Sequence, residues 1–139
     1  MIERENIFPD GLPKRIVKGH VLYSPVVTVV PGKLVFVSGI LARDSKGEIV
    51  GKGDMAAQIR QVFDNIKTAL AAAGATMADI VKLNTYLVAE VSQDDLPKMR
   101  AIRDRYLNKE KPPASTLVVV SRLARPGWLI EIEAIAAID

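Results

Sequence analysis

Two carboxylates, Glu131 and Glu133, alternate along "LIEIEAIAAI" near the end of the chain, so both project from one side of the strand that this run predicts. Burying a carboxylate is costly unless it is paired or hydrogen-bonded. At least one of the two is therefore expected to face solvent, a cleft or a cation; a pair at the exposed end of an edge strand is the plainer alternative. A second group stands at "KPPASTLVVV", where Ser115 and Thr116 follow two prolines and precede an apolar β-forming run. The prolines impose an extended lead-in, and the run after them has the character of a strand covered on both faces. Two neutral hydroxyls thus stand where a loop becomes a strand, a common place for a binding site.

Other chemistries are ruled out by composition. The chain has no cysteine, which removes disulfides, thiolate nucleophiles and zinc–thiolate sites. Its single histidine, His20, cannot by itself build a histidine metal site, and it is read as a structural or surface residue rather than a triad base. No metal and no organic cofactor is expected. The net charge of +3 is modest, and Lys and Arg are scattered among acidic neighbours, so a nucleic-acid groove is not expected.

The elements that must position these groups follow from periodicity. At 139 residues, 49% hydrophobic and 25% charged, the chain reads as one soluble domain over 1–139, with residues 1–15 as a loose N-terminal arm. It holds nothing close to the roughly 18 apolar residues of a membrane span. The charged, proline-broken start does not read as a signal peptide, so a cytoplasmic location is the expectation. "VLYSPVVTVV" and "KLVFVSGIL", joined by Pro31-Gly32, predict a hairpin, and a short strand is expected around Ile49-Val50. Met55, Ile59, Val62, Phe63, Ile66, Leu70 and Ala73 form one apolar stripe, predicting a helix with Asp54 at its N-cap and Gly74 beyond its end. "DIVKLNTYLV" reads as a strand. "SQDDLPKMRAIRDRYL" reads as a second helix capped by Asp94 or Asp95, with Pro97 in its first turn.

The order is an α+β domain: a mixed sheet of five or six strands with two helices on one face. Two helices cover only one face of such a sheet, yet "VVTVV", "LVVV" and the positions Ile130, Ile132, Ala134, Ala136 and Ile138 call for apolar cover on both. The missing cover is expected from further copies of the chain, in a homo-oligomer whose sheets face inward.

Taken together, "YSP…GKLVFVSG", "GDMAAQIRQVFDNIKTALAAAG", "DIVKLNTYLV", the proline-preceded strand at Pro113 and "LIEIEAIA" resemble, in order and spacing, the Rid/YjgF family of reactive-intermediate deaminases, also known as endoribonucleases L-PSP. The resemblance spans residues 20–138. It implies a chorismate-mutase-like fold, homotrimers, and small-molecule clefts between subunits. It also implies hydrolysis of enamines or imines to ketones and ammonia, in which a carboxylate orients and deprotonates water without metal or covalent nucleophile. By this resemblance Glu131 is the water-positioning glutamate, Gly39 lines the cleft with its backbone, and Tyr23 closes it from a loop.

The sequence also departs from the family. Where deaminating members carry an arginine that holds the substrate carboxylate, this chain has Ser115, followed by Thr116 and then by Leu117 in place of a small polar residue or cysteine. The family glutamine after "SG" is Ile40, and an asparagine expected on the second helix falls at Arg100. Exchanging a guanidinium fork for one hydroxyl costs on the order of 2–4 kcal/mol, roughly thirty- to thousand-fold in affinity for a carboxylate. Either a cation arrives from Arg100, Arg103 or Arg122, or the ligand lacks a carboxylate and meets Ser115 and Thr116 as a neutral group. The expected function is a hydrolytic deaminase, or related hydrolase, for a small enamine or imine. The alternatives are a non-catalytic small-molecule binder or sensor, a ribonuclease, or a purely interacting trimer.

Overall fold

The computed structural model describes residues 2–139. In chain order the elements are β1 (Glu3–Ile7), β2 (Ile16–Val17), β3 (His20–Val21), β4 (Val26–Val30), β5 (Lys33–Ile40), α1 (Met55–Ala72), β6 (Ile80–Val88), α2 (Leu96–Tyr106), β7 (Ala114–Val120) and β8 (Ile130–Ile138). The α+β order expected from periodicity is observed from β4 onward, and β1, β2 and β3 are added before it.

The first helix forms as its punctuation dictates. The Asp54 carboxylate accepts from the Ala57 amide at 3.1 Å. At the far end Gly74 adopts φ +82°, which lets the amides of Gly74 and Ala75 return to the carbonyls of Ala71 and Leu70. Met55, Ile59, Val62, Phe63, Ile66 and Leu70 are all buried against the sheet. The second helix starts differently from expectation. Neither Asp94 nor Asp95 caps it with a side chain; instead Ser92 Oγ accepts from the Asp94 amide, opening a 3-10 turn that runs into α2. Asp95 already has helical torsion angles, so its carboxylate is not placed to receive the first free amides. α2 packs Met99 and Ile102 into the core.

The main sheet has four strands in the order β5-β8-β6-β7, and β1 and β4 form a separate antiparallel ribbon. Only β6 and β7 run parallel. Ile130, Ile132, Ala134 and Ala136 of β8 face the helices and are buried, together with Leu83 of β6 and Val35 and Val37 of β5.

Four expectations are corrected. Residues 1–15 do not form a loose arm throughout: β1 pairs with β4, and Arg4 donates to the carbonyls of Ala78 and Lys111. β4 and β5 are not a hairpin, because the edge of β4 is occupied by β1 while the Gly32 amide bonds the Ile138 carbonyl and leads β5 onto β8. The sheet therefore has four strands rather than five or six. The short strand near Ile49 is reduced to one bridge between Arg43 and Ile49.

The "LVVV" run is not covered in the single chain. β7 is an edge strand whose Leu117, Val118 and Val119 are exposed, Val119 by 64%. On β5, Leu34 and Phe36 are likewise exposed, Phe36 by 72%. Among the described residues no helix is long and apolar enough to cross a membrane.

Candidate functional site

The face of the sheet opposite the helices carries the paired carboxylates. Glu131 and Glu133 stand beside Tyr86 and Asn84 of β6 in register. Glu133 is engaged through one oxygen: its Oε1 accepts from Asn84 Nδ2 at 3.0 Å and from the Tyr86 hydroxyl at 2.7 Å. That bond, with some burial and the negative charges of Glu133 and Glu131, pushes the Tyr86 hydroxyl above its ordinary pKa. Glu131 is half-buried and takes no hydrogen bond among the described residues. Of the two carboxylates, it is the one that accepts no hydrogen bond among these residues.

Room for Glu131 is made by Gly39. The register of β5 against β8 shifts between Val37 and Ile40, one extra residue on β5 that bends the strand at Ser38-Gly39. A Cβ at position 39 would lie 2.9 Å from Glu131 Cδ and closer still to its Oε2. Here glycine is required by space rather than by backbone torsion. Ile40, at the family's glutamine position, packs against the core.

The other candidates gather elsewhere. Parallel register sets Ser115 beside Leu83, on the helix side of the sheet. There Ser115, Tyr23, Arg100, Arg103, Arg15, Leu22, Leu96, Met99 and Leu117 line one open cavity of about 340 Å³. Tyr23 is held in place through its neighbour. Ser24 is buried, its hydroxyl donates to the Pro112 carbonyl at 2.6 Å, its amide bonds the Pro113 carbonyl, and Asn6 Nδ2 bonds both Ser24 Oγ and the Pro112 carbonyl. The double proline that leads into β7 is thus stitched to the loop carrying Tyr23. Arg103 Nη1 donates to the Leu22 carbonyl at 3.1 Å from the opposite side. Burial lowers the Arg103 pKa from its ordinary value, offset in part by Asp104 and reinforced by Arg100.

Thr116 does not share this cavity with Ser115. One residue along a strand reverses the side chain, and Thr116 Oγ1 accepts from Lys82 Nζ at 3.0 Å on the carboxylate face. Arg122 is exposed and lines none of the cavity. His20 bonds Asp104 at 3.1 Å, tying the short β2–β3 hairpin to α2. Among the described residues no group of His, Asp and Glu is disposed to hold a metal ion.

Sequence reasoning missed Asn84 and Tyr86, although their two-residue spacing in "KLNTYLV" marks a polar pair on one strand face. It also missed Gln58, a polar residue on the apolar stripe of α1. Gln58 is buried; it donates to the carbonyls of Gly127 and Gly51 and accepts from the Leu129 amide, fixing the segment that launches β8.

A small mixed-sheet protein with two helices on one face, a carboxylate recess on the other and a cationic cavity at its sheet edge defines the architectural class. The chain belongs to the Endoribonuclease L-PSP family, which includes the Rid and RutC proteins: the family model matches residues 15–138. A RutC family protein of Pyrococcus horikoshii is 41% identical over 134 residues, covering 96% of this chain and 97% of the relative. The 3-aminoacrylate deaminase RutC of Acinetobacter baylyi is 31% identical over 137 residues, covering 96% and 97%. Among solved structures, the Rid family protein YyfB of Yersinia pestis, described as of unknown function, superposes with a TM-score of 0.80 at 34% identity, covering 97% of this chain and 98% of that one.

Proposed function

We propose that this protein is a Rid-type hydrolytic deaminase of small enamine or imine metabolites, working in a cleft shared between copies of the chain. One observation carries the reading. Glu131 and Gly39 lie on the outer face of β8 and β5, whereas Tyr23, Arg100 and Ser115 lie on the helix side of β7. β6 separates β7 from β8, a lateral distance of roughly 10 Å, and the two groups point to opposite faces. Neither half alone makes a deaminase site. A second copy docking its β7 edge against the β5–β8 face would join them and cover Leu34, Phe36, Leu117, Val118 and Val119 in the same step. A closed ring of three such heterologous contacts is the assembly we propose.

The chemistry asks little of the protein. An enamine tautomerises to its imine, and a water held by Glu131 adds to the C=N carbon. The new C–O bond forms as the π pair moves to nitrogen. Glu131 takes one proton from the water and returns it to nitrogen, giving a carbinolamine. It then carries the remaining hydroxyl proton to nitrogen as the C=O bond forms and the C–N bond breaks, and ketone and ammonia leave with the carboxylate regenerated. The relative named 3-aminoacrylate deaminase supports this reaction class. A ribonuclease reading has the family's name behind it, but the one histidine is engaged with Asp104 rather than free for acid–base work.

The test is ammonia release from imines generated in place, compared with spontaneous hydrolysis. The wild-type chain is expected to accelerate release and Glu131→Gln to lose most of the effect. Equal rates with and without protein across several imines, alongside ligand binding, would favour a binder instead.

A further inference from the structure

We infer that Arg100, projecting from α2, is the carboxylate clamp of this cavity, standing in for the arginine that the strand position Ser115 lacks. The inference rests on reading the cavity as the substrate-holding half of the proposed cleft. Three arginines, 15, 100 and 103, line it, and no acidic residue does. Arg100 lies close enough to disfavour the charge of Arg103. Asp104, the carboxylate that acts on Arg103, is already bonded to His20. A cavity with this excess of positive charge is complementary to an anion, and its size suits a small metabolite rather than a polymer.

The two α2 arginines divide the work. Arg103 spends a donor on the Leu22 carbonyl, so it braces the loop that presents Tyr23 and acts as a positioning residue. Arg100 makes no hydrogen bond or ion pair among the described residues, leaving its whole fork for a ligand. Ser115 likewise makes no side-chain hydrogen bond and can donate one to the same carboxylate. Leu22, Leu96, Met99 and Leu117 supply the apolar part of the lining. The ligand class is therefore a small 2-imino or enamine carboxylate, its charged end on α2 and its carbon chain along Leu117. Moving the cation from strand to helix lets position 117 carry leucine, because the strand no longer has to pass a guanidinium beside it.

The experiment measures binding of pyruvate, a stable product-like 2-oxo acid, and of its neutral amide pyruvamide, by calorimetry on the assembled protein. Wild type is expected to bind pyruvate at least thirtyfold more tightly than pyruvamide, with the preference shrinking as salt rises. Arg100→Gln should lose that preference while leaving pyruvamide unchanged. Arg100→Lys should recover part of it, and Arg100→Gln combined with Ser115→Arg should recover most. Circular dichroism and sedimentation verify that each variant remains folded and assembled. If Arg100→Gln binds pyruvate like wild type, or wild type does not discriminate between the two probes, the clamp is refuted. Imine turnover with kcat/KM unaffected by Arg100→Gln would refute the clamp and leave the deaminase standing. Arg100-dependent binding without any turnover would keep the clamp and remove the deaminase.

Discussion

Gly39 and Glu131 share a single volume: the carboxylate of Glu131 occupies the space that a side chain at position 39 would fill. The bulge at Ser38-Gly39 and the alternation of β8 bring the two together from different strands. Gly39→Ala is therefore expected to push the carboxylate aside without unfolding the protein, since the displaced group is the free end of a flexible chain. Deaminase activity should fall toward that of Glu131→Gln, a loss of about 10²–10⁴-fold for a general base. The melting temperature should stay within a few degrees of wild type. A fully active Gly39→Ala enzyme would detach Glu131 from the chemistry.

Glu131→Gln and Arg100→Gln should complement each other. If each site takes its carboxylate from one copy and its cation from the next, trimers randomly reassembled from the two inactive variants contain about a quarter intact sites. Ammonia release after unfolding and refolding the mixture is the readout. No recovery, from variants that each assemble normally, would place both residues in one chain's site.

Phe36→Glu and Val119→Asp should dissociate the proposed assembly. Both side chains are largely exposed in the single chain, so a charge there should leave the fold intact and fail only in contact with a neighbour. Analytical ultracentrifugation should show monomers with native helical circular dichroism and no turnover.

Gln58→Leu should destabilise by about 1–3 kcal/mol, because the Leu129 amide and the carbonyls of Gly51 and Gly127 would lose their partner inside the protein. Urea denaturation measures this. A neutral result would mean that water replaces the amide.

Alkaline pH should weaken the fold through Tyr86. Its bond to Glu133 and the adjoining negative charges raise its pKa above the ordinary 10.0 in the folded state. Raised folded pKa means that the protonated form is favoured by folding. The contribution is thus complete below about pH 10 and is lost as pH climbs through the folded value. Urea midpoints of wild type should fall more steeply above pH 10 than those of Tyr86→Phe; parallel curves would refute the coupling.

The helices were legible because they obey local rules. Asp54 and Gly74 are punctuation that any helix of that stripe would need, and the buried residues of α1 follow from a period of 3.6. Pairing was less legible. Nothing local in "VVTVV" reveals that its partner is Glu3–Ile7, twenty residues upstream, rather than the strand just after Pro31-Gly32. The functional candidates divided in the same way. Alternation alone placed Glu131 and Glu133 on one face, but which of them accepts hydrogen bonds depended on Asn84 and Tyr86, on the neighbouring strand and 47 to 49 residues away in the sequence. Ser115 and Thr116 looked like a pair in the sequence, whereas the pleat sends one to the cavity and the other to Lys82. Arg100, Arg103 and Arg122 could not be ranked until α2 was laid beside β7.

The loop that carries Tyr23 is fastened at both ends, by Ser24 to the Pro112 and Pro113 carbonyls and by Leu22 to Arg103. Such a wall has no hinge to swing. On the proposed reading, a short-lived anion drifting in would find its berth ready-made and spend none of its lifetime waiting for a gate, and capture would be governed by diffusion, shape and charge.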